Sequence, residues 1–146
     1  MADPIDLTGD ITAGVDGAAL RGSTLVVGYV ADDGFPSLSF RGSVQVYSKD
    51  QLAFWSRSSS EGLVKAIADR PKVSLLFYES DGPGPRYLSF QGHARVDPSA
   101  NETVYNAMIE GERAHDEERK GVAVIVDVDS VRGFGANGPF QMARAG

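Results

Sequence analysis

Ser56, Arg57, Ser58, Ser59 and Ser60 place four hydroxyls and a guanidinium in five consecutive positions, directly after Phe54 and Trp55. These are donors suited to an oxyanion, with Arg57 offering a bidentate fork and each serine a single O–H. From Ser60 the pattern turns helical, because Leu63, Ala66 and Ile67 fall at i, i+3, i+4 spacing. Pro71 closes that helix, and Lys72 to Tyr78 follows as an apolar run of strand length. A helix start exposes unpaired N–H groups and a partial positive charge. The order of strand, donor-rich turn, helix start and strand therefore predicts a site for a small anion. The plainer alternative is that Ser60 only caps the helix and Arg57 is a solvated charge.

Other chemistry-bearing residues carry less. Gly133, Gly135 and Gly138 spell GxGxxG, but only eight residues follow Gly138. The dinucleotide fingerprint needs a helix and a later acidic residue, so a flexible glycine loop is the better reading. Asp127 and Asp129 share one face of a strand by period two, and a solvent-facing edge accounts for them. His93 and His115 are the only histidines, and neither stands at a catalytic or metal-binding spacing.

The frame for these residues is one domain, residues 1–146, of which 42% is hydrophobic and 23% charged. A net charge of −6 argues against a nucleic-acid or anionic-membrane partner and confines the basic turn to a local role. With no cysteine there is neither a disulfide nor a thiolate nucleophile. No stretch approaches the ~20 apolar residues of a membrane span and no leader pattern opens the chain, so a cytoplasmic protein is expected.

Residues 1 to about 10 read as loosely held, and Ile11 to Leu20 as a short, poor helix. Thr24 to Ala31 is a strand ended by Asp32, Asp33 and Gly34. Pro36 to Tyr47 is one long strand with a bulge at Gly42, and Gln51 to Trp55 is the next. Glu79 to Pro85 is a hairpin loop before the strand Arg86 to Val96. A second helix opens at Asp97 to Ala100, and its charged continuation from Glu110 to Lys120 faces solvent. Val122 to Val131 is a strand with one fully apolar face, Gly133 to Pro139 a loop, and Phe140 to Arg144 a short edge strand. Closely spaced strands with short links favour an antiparallel sheet closed into a small barrel.

Taken together, the DG-x-P turn at Asp33, Gly34 and Pro36, the FWSRS turn, Arg70 to Phe77 and FQGHARV at Phe90 to Val96 resemble the pyridoxamine 5'-phosphate oxidase-like flavin-binding split barrels. The likeness runs from about Thr24 to Val96, with a weaker echo in Ala123 to Gly133. It implies a mainly β fold, a six-stranded antiparallel split barrel, in a homodimer. It also implies FMN or a deazaflavin in a groove between subunits, and an oxidoreductase acting on a small-molecule substrate. A ligand-binding barrel without turnover is the alternative from another class. On this chain the implied phosphate contacts are Ser39, Arg41, Ser56, Arg57, Ser58 and Ser60, with Trp55 and Tyr87 beside the ring. The family's basic residue in the first helical turn falls at about Gly62 and Leu63, where this chain has none.

Overall fold

The computed structural model describes residues 2–145; the ends of the expected domain, Met1 and Gly146, lie outside the described residues. The strands are β1 (Val26–Val30), β2 (Pro36–Phe40), β3 (Gln45–Ser48), β4 (Gln51–Ser56), β5 (Lys72–Tyr78), β6 (Tyr87–Val96), β7 (Val122–Gly135) and β8 (Gly138–Ala143). They form one antiparallel sheet in the order β2-β1-β5-β6-β7-β4-β3, with β8 beside the end of β7.

Eight strands stand where six were expected. The long second strand breaks at Arg41–Val44, and its halves lie at opposite ends of the sheet path. The two edges of the sheet are thus consecutive in the chain, and the crossover between them spans the split. Gly133 and Gly135 belong to β7, and Gly138, at φ 97°, turns the chain into β8. The expected glycine loop is therefore the tip of a hairpin.

Alternation decides which side chains face inward. β5 and β6 bury Val73, Leu75, Phe77, Leu88, Phe90 and Ala94 while the residues between them face outward. β4 and β7 are covered on both faces. Leu52, Phe54, Val124 and Val126 point into the main core. Ala53, Trp55, Ala123 and Ile125 join a second core under α3 (Asn101–Ala107), built with Val104, Tyr105 and Met108. The apolar outer side of β7 is thus closed by the chain's own helix.

Three further α-helices are α1 (Asp10–Val15), α2 (Leu63–Asp69) and α4 (Glu110–Arg113). The N-terminal segment, expected to be loose, is tied down. Ile5 and Leu7 are buried, Leu7 N–H donates to Lys49 O at 2.8 Å, and Asp3 bridges Met142 in β8. Two apolar residues at alternate positions suffice to dock an extended segment against the barrel.

Candidate functional site

The crossover brings together residues that the sequence keeps apart. Extending the register of Gln45 opposite Ala53 sets Ser43 against Trp55 and Arg41 against Arg57. Ser43 makes the first of these pairings with its side chain. Its Oγ accepts from Trp55 N–H at 2.9 Å and donates to Trp55 O at 3.3 Å. The turn after β4 is thereby stitched to the segment that carries Arg41.

Arg41 folds over the Phe54 ring, with its guanidinium carbon 5.5 Å from the ring centre. Its Nε and the Oγ of Ser39 are buried, with no hydrogen-bond partner among the described residues. Burial pulls the Arg41 pKa down, Tyr29 opposes that shift, and the charge of Arg57 adds to it. Arg57 is exposed, and neither arginine has a carboxylate partner among the described residues. A buried donor left unpaired costs about 1–3 kcal/mol. Two orphaned donors, one of them on a guanidinium that feels the like charge of Arg57, form a cradle that an anionic oxygen would satisfy. On that test the residues fit the phosphate of a flavin.

The serine turn contributes less than its composition suggests. Ser56 is buried and donates to Ser58 O at 2.7 Å. Ser58 Oγ accepts from the N–H groups of Ser60 and Glu61, so it caps its own turn. Ser60 is exposed and does not start the helix. α2 begins three positions later, after Gly62 at φ 63°, and its first residue, Leu63, is buried in the main core. The helix start expected at Ser60 is therefore displaced, because the apolar face of a seven-residue helix is used for packing.

Trp55 is a core residue and Tyr87 a surface one. Trp55 is 5% exposed, packs edge-on against Tyr105 at 5.2 Å, and donates from Nε1 to Asp116 Oδ2 at 2.9 Å. Its ring belongs to the second core, on the opposite face of β4 from Phe54. Tyr87 lies on the outer face in a row with Tyr78 and Phe134, all three exposed.

Three features escaped the sequence reading: Tyr29 near Arg41, the Ser43 stitch, and a contact of 2.5 Å between His93 Nδ1 and Asp129 Oδ2. Each joins segments apart in the chain, so only the folded register reveals it. Asp127 and Asp129 lie on a strand paired on both sides rather than at an edge, and they face Arg95 and His93. No cluster of three metal-ligating side chains occurs among the described residues. Nor, among them, is any helix long and apolar enough to cross a membrane.

No family model matches the chain, and no curated protein matches it in sequence. Its structure is similar to that of a Clostridium acetobutylicum protein related to general stress protein 26, of the pyridoxinephosphate oxidase family. The TM-score is 0.60 at 13% identity, covering 85% of this chain and 88% of that one. It is similar to an F420 reductase, with TM-score 0.58 and 16% identity over 81% of this chain and 95% of the other. HupZ of Group A Streptococcus matches with TM-score 0.55 and 16% identity, covering 90% and 96%. At such identities the likeness is one of fold. The chain has the split-barrel fold shared by the pyridoxamine 5'-phosphate oxidase-like proteins and the deazaflavin reductase.

Proposed function

We propose that the protein is an oxidoreductase that holds the phosphate of FMN between Ser39, Arg41 and Arg57. The observation carrying this reading is the pair of buried, unpartnered donors, Ser39 Oγ and Arg41 Nε, beside a second guanidinium. A deazaflavin with a phosphodiester tail would use the same donors, and the similarity to an F420 reductase supports it as the alternative. When bound, either cofactor supplies hydride chemistry, and the protein contributes position and electrostatics. Here Arg41 and Arg57 neutralise the tail, Ser39 orients it, and the Ser43 bonds to Trp55 keep the crossover from opening. Gly62 and Leu63 add no charge, so affinity rests on the crossover rather than on the helix.

A second copy of the chain completes this reading. Tyr78, Tyr87 and Phe134 stand side by side across β5, β6 and β7, and Phe40, Val26 and Leu76 form a parallel row across β2, β1 and β5. Phe40 is 76% and Tyr78 62% exposed. A contiguous apolar face of this kind fits self-association of like faces about a two-fold axis.

Titration of the purified protein with FMN and, separately, with a deazaflavin, followed by absorbance and fluorescence, tests the assignment. Saturable binding of one of them, weakened by Arg41→Met, is the expected result. Failure of both to bind overturns the oxidoreductase reading in favour of a barrel that binds some other ligand without turnover.

A further inference from the structure

The outer face of the sheet carries a trough of about 640 Å³ whose origin is the size of its residues. Ladder register aligns Leu38, Gly28, Ser74 and Gln91 across β2, β1, β5 and β6. Gly28 lets the Leu38 side chain lean across it, with Cδ2 2.8 Å from where a Cβ would stand, and the short Ser74 side chain leaves the hollow beyond. Leu38, Pro36 and Val30 form an apolar wall on one side.

The polar end is made by Lys72, His93 and Asp129. Lys72 and His93 are direct cross-strand partners, so their side chains leave the sheet next to one another. On its other side His93 is the ladder partner of Asp127 in β7, and just beyond that pair the register shifts between Gln91 and Gly92. Gln91 is opposite Ser130 and Gly92 opposite Val128, so Asp129 is the extra residue of a bulge. Gly92 permits this, since a Cβ there would lie 2.4 Å from Asp127 O. Asp127 then pairs with Arg95 at 2.7 Å, and the bulged Asp129 reaches His93 Nδ1 at 2.5 Å. Asp129 is held in turn by Arg144, whose Nε is 3.5 Å from Oδ1.

An exposed histidine–carboxylate contact contributes little stability, so stability does not account for a bulge and a glycine arranged around one. A carboxylate on Nδ1 fixes the imidazole plane and its tautomer, leaving Nε2 as an acceptor on the neutral ring. Lys72 beside it has no carboxylate partner among the described residues. The trough therefore presents a free cation, an oriented acceptor adjacent to it, and an apolar wall.

We propose that this trough binds a small organic anion in which a carboxylate stands next to a hydroxyl on a flat apolar body, that is, an aryl- or alkenyl-substituted 2-hydroxy acid. Lys72 takes the carboxylate, His93 Nε2 accepts from the hydroxyl, and the apolar body lies against Val30, Pro36 and Leu38. The Ser39 and Arg41 cradle belongs to the crossover, and Tyr29 is the only residue common to both. This proposal goes beyond the cofactor reading; the trough borders the Phe40, Val26 and Leu76 row on the same face, so a second copy packed on that row would wall one end of it.

Mandelate and phenylacetate differ only by the hydroxyl and serve as probes, followed by amide and imidazole NMR shifts on the protein without added cofactor. Mandelate is expected to shift Lys72, Ser74 and His93 saturably, with an affinity about three- to tenfold above that of phenylacetate, the scale of one neutral hydrogen bond. His93→Phe should abolish that preference, and Lys72→Met should weaken both probes about tenfold. Imidazole nitrogen shifts should show the Nδ1–H tautomer in the wild type and its loss in Asp129→Asn, a signature that packing alone would not give. All three residues are partly or fully exposed, and thermal melts that match the wild type verify the fold. Shifts confined to the Arg57 turn, equal affinity for the two probes, or a preference that survives His93→Phe would each overturn the proposal. An FMN titration on the same samples reports the cradle separately.

Discussion

Arg41 lies over the Phe54 ring with its guanidinium carbon 5.5 Å from the ring centre, and its Nε meets no acceptor among the described residues. A cation held this way is desolvated without being paired. The ring face compensates only in part, because such a contact contributes about 0.5 to 2 kcal/mol. The arrangement is pre-organised for an anion, at the expense of stability when none is bound.

Arg41→Met should therefore separate stability from binding. Removing an unpaired, half-buried charge while keeping its apolar stem should leave the melting temperature of the cofactor-free protein unchanged or higher. Cofactor affinity should fall roughly ten- to a hundredfold, the scale of one charge-assisted contact. Melting curves and fluorescence titration on the same preparation check both halves. A large loss of stability would show Arg41 to be structural.

Arg57→Ala should weaken cofactor binding by a smaller factor, about three- to tenfold, because this guanidinium is exposed and screened. Its absence also relieves the like-charge effect on Arg41. Dependence of binding on salt concentration should flatten in this variant, and a titration series in sodium chloride measures it.

Leu63→Lys should fail to repair the missing basic residue. Leu63 is 3% exposed within the main core, so the change deletes a buried apolar side chain and drives a charge into its place. A loss of roughly 3 to 5 kcal/mol is expected, a large part of the stability of an ordinary domain. Urea unfolding should show the midpoint collapse. Retained stability with tighter FMN binding would contradict the placement of this helix.

Asp116 supplies the clearest pH dependence. Desolvation alone would raise its pKa, but bonds from Lys120 N–H, Trp55 Nε1 and Gly121 N–H outweigh it and hold the carboxyl below its usual value. A folded pKa below the unfolded one gives stability that is full above the unfolded pKa of about 3.9 and lost as pH falls through the folded value. Asp116→Asn should cost about 1 to 2 kcal/mol at pH 7, allowing for solvent screening, and the gap from wild type should close in acid. Urea titrations at pH 7 and pH 3 test the sign.

Tyr78→Glu should break self-association, since it puts a charge where the exposed aromatic row meets the Leu76 row on β5. Light scattering at micromolar concentration should give a dimer mass for the wild type and a monomer mass for the variant. A monomeric wild type would remove the second copy from the proposed site.

What the sequence settles by itself is mostly local and periodic. The apolar run Lys72–Tyr78 and the segment Arg86–Val96 are recognisable as strands from length and flanking turns, and the alternating valines from Val122 mark an inward face, because a pleated chain repeats every two residues. The donors of the anion cradle are likewise visible as residue types, Ser39, Arg41 and Arg57. Their assembly is not, since it depends on which strands become neighbours. The segment Pro36–Tyr47 looks continuous, yet it must divide to reach both ends of the sheet, and the division at Arg41–Val44 is what buries Arg41 and stitches Ser43 to Trp55. Trp55 follows an apolar run that fits a barrel wall or a cofactor border equally well, and only α3 packing on the far side of β4 makes it core. His93 and Asp129 are 36 residues apart and meet through one bulge. Such contacts arise from register and crossover, which are properties of the folded sheet as a whole and leave no mark at any fixed spacing along the chain.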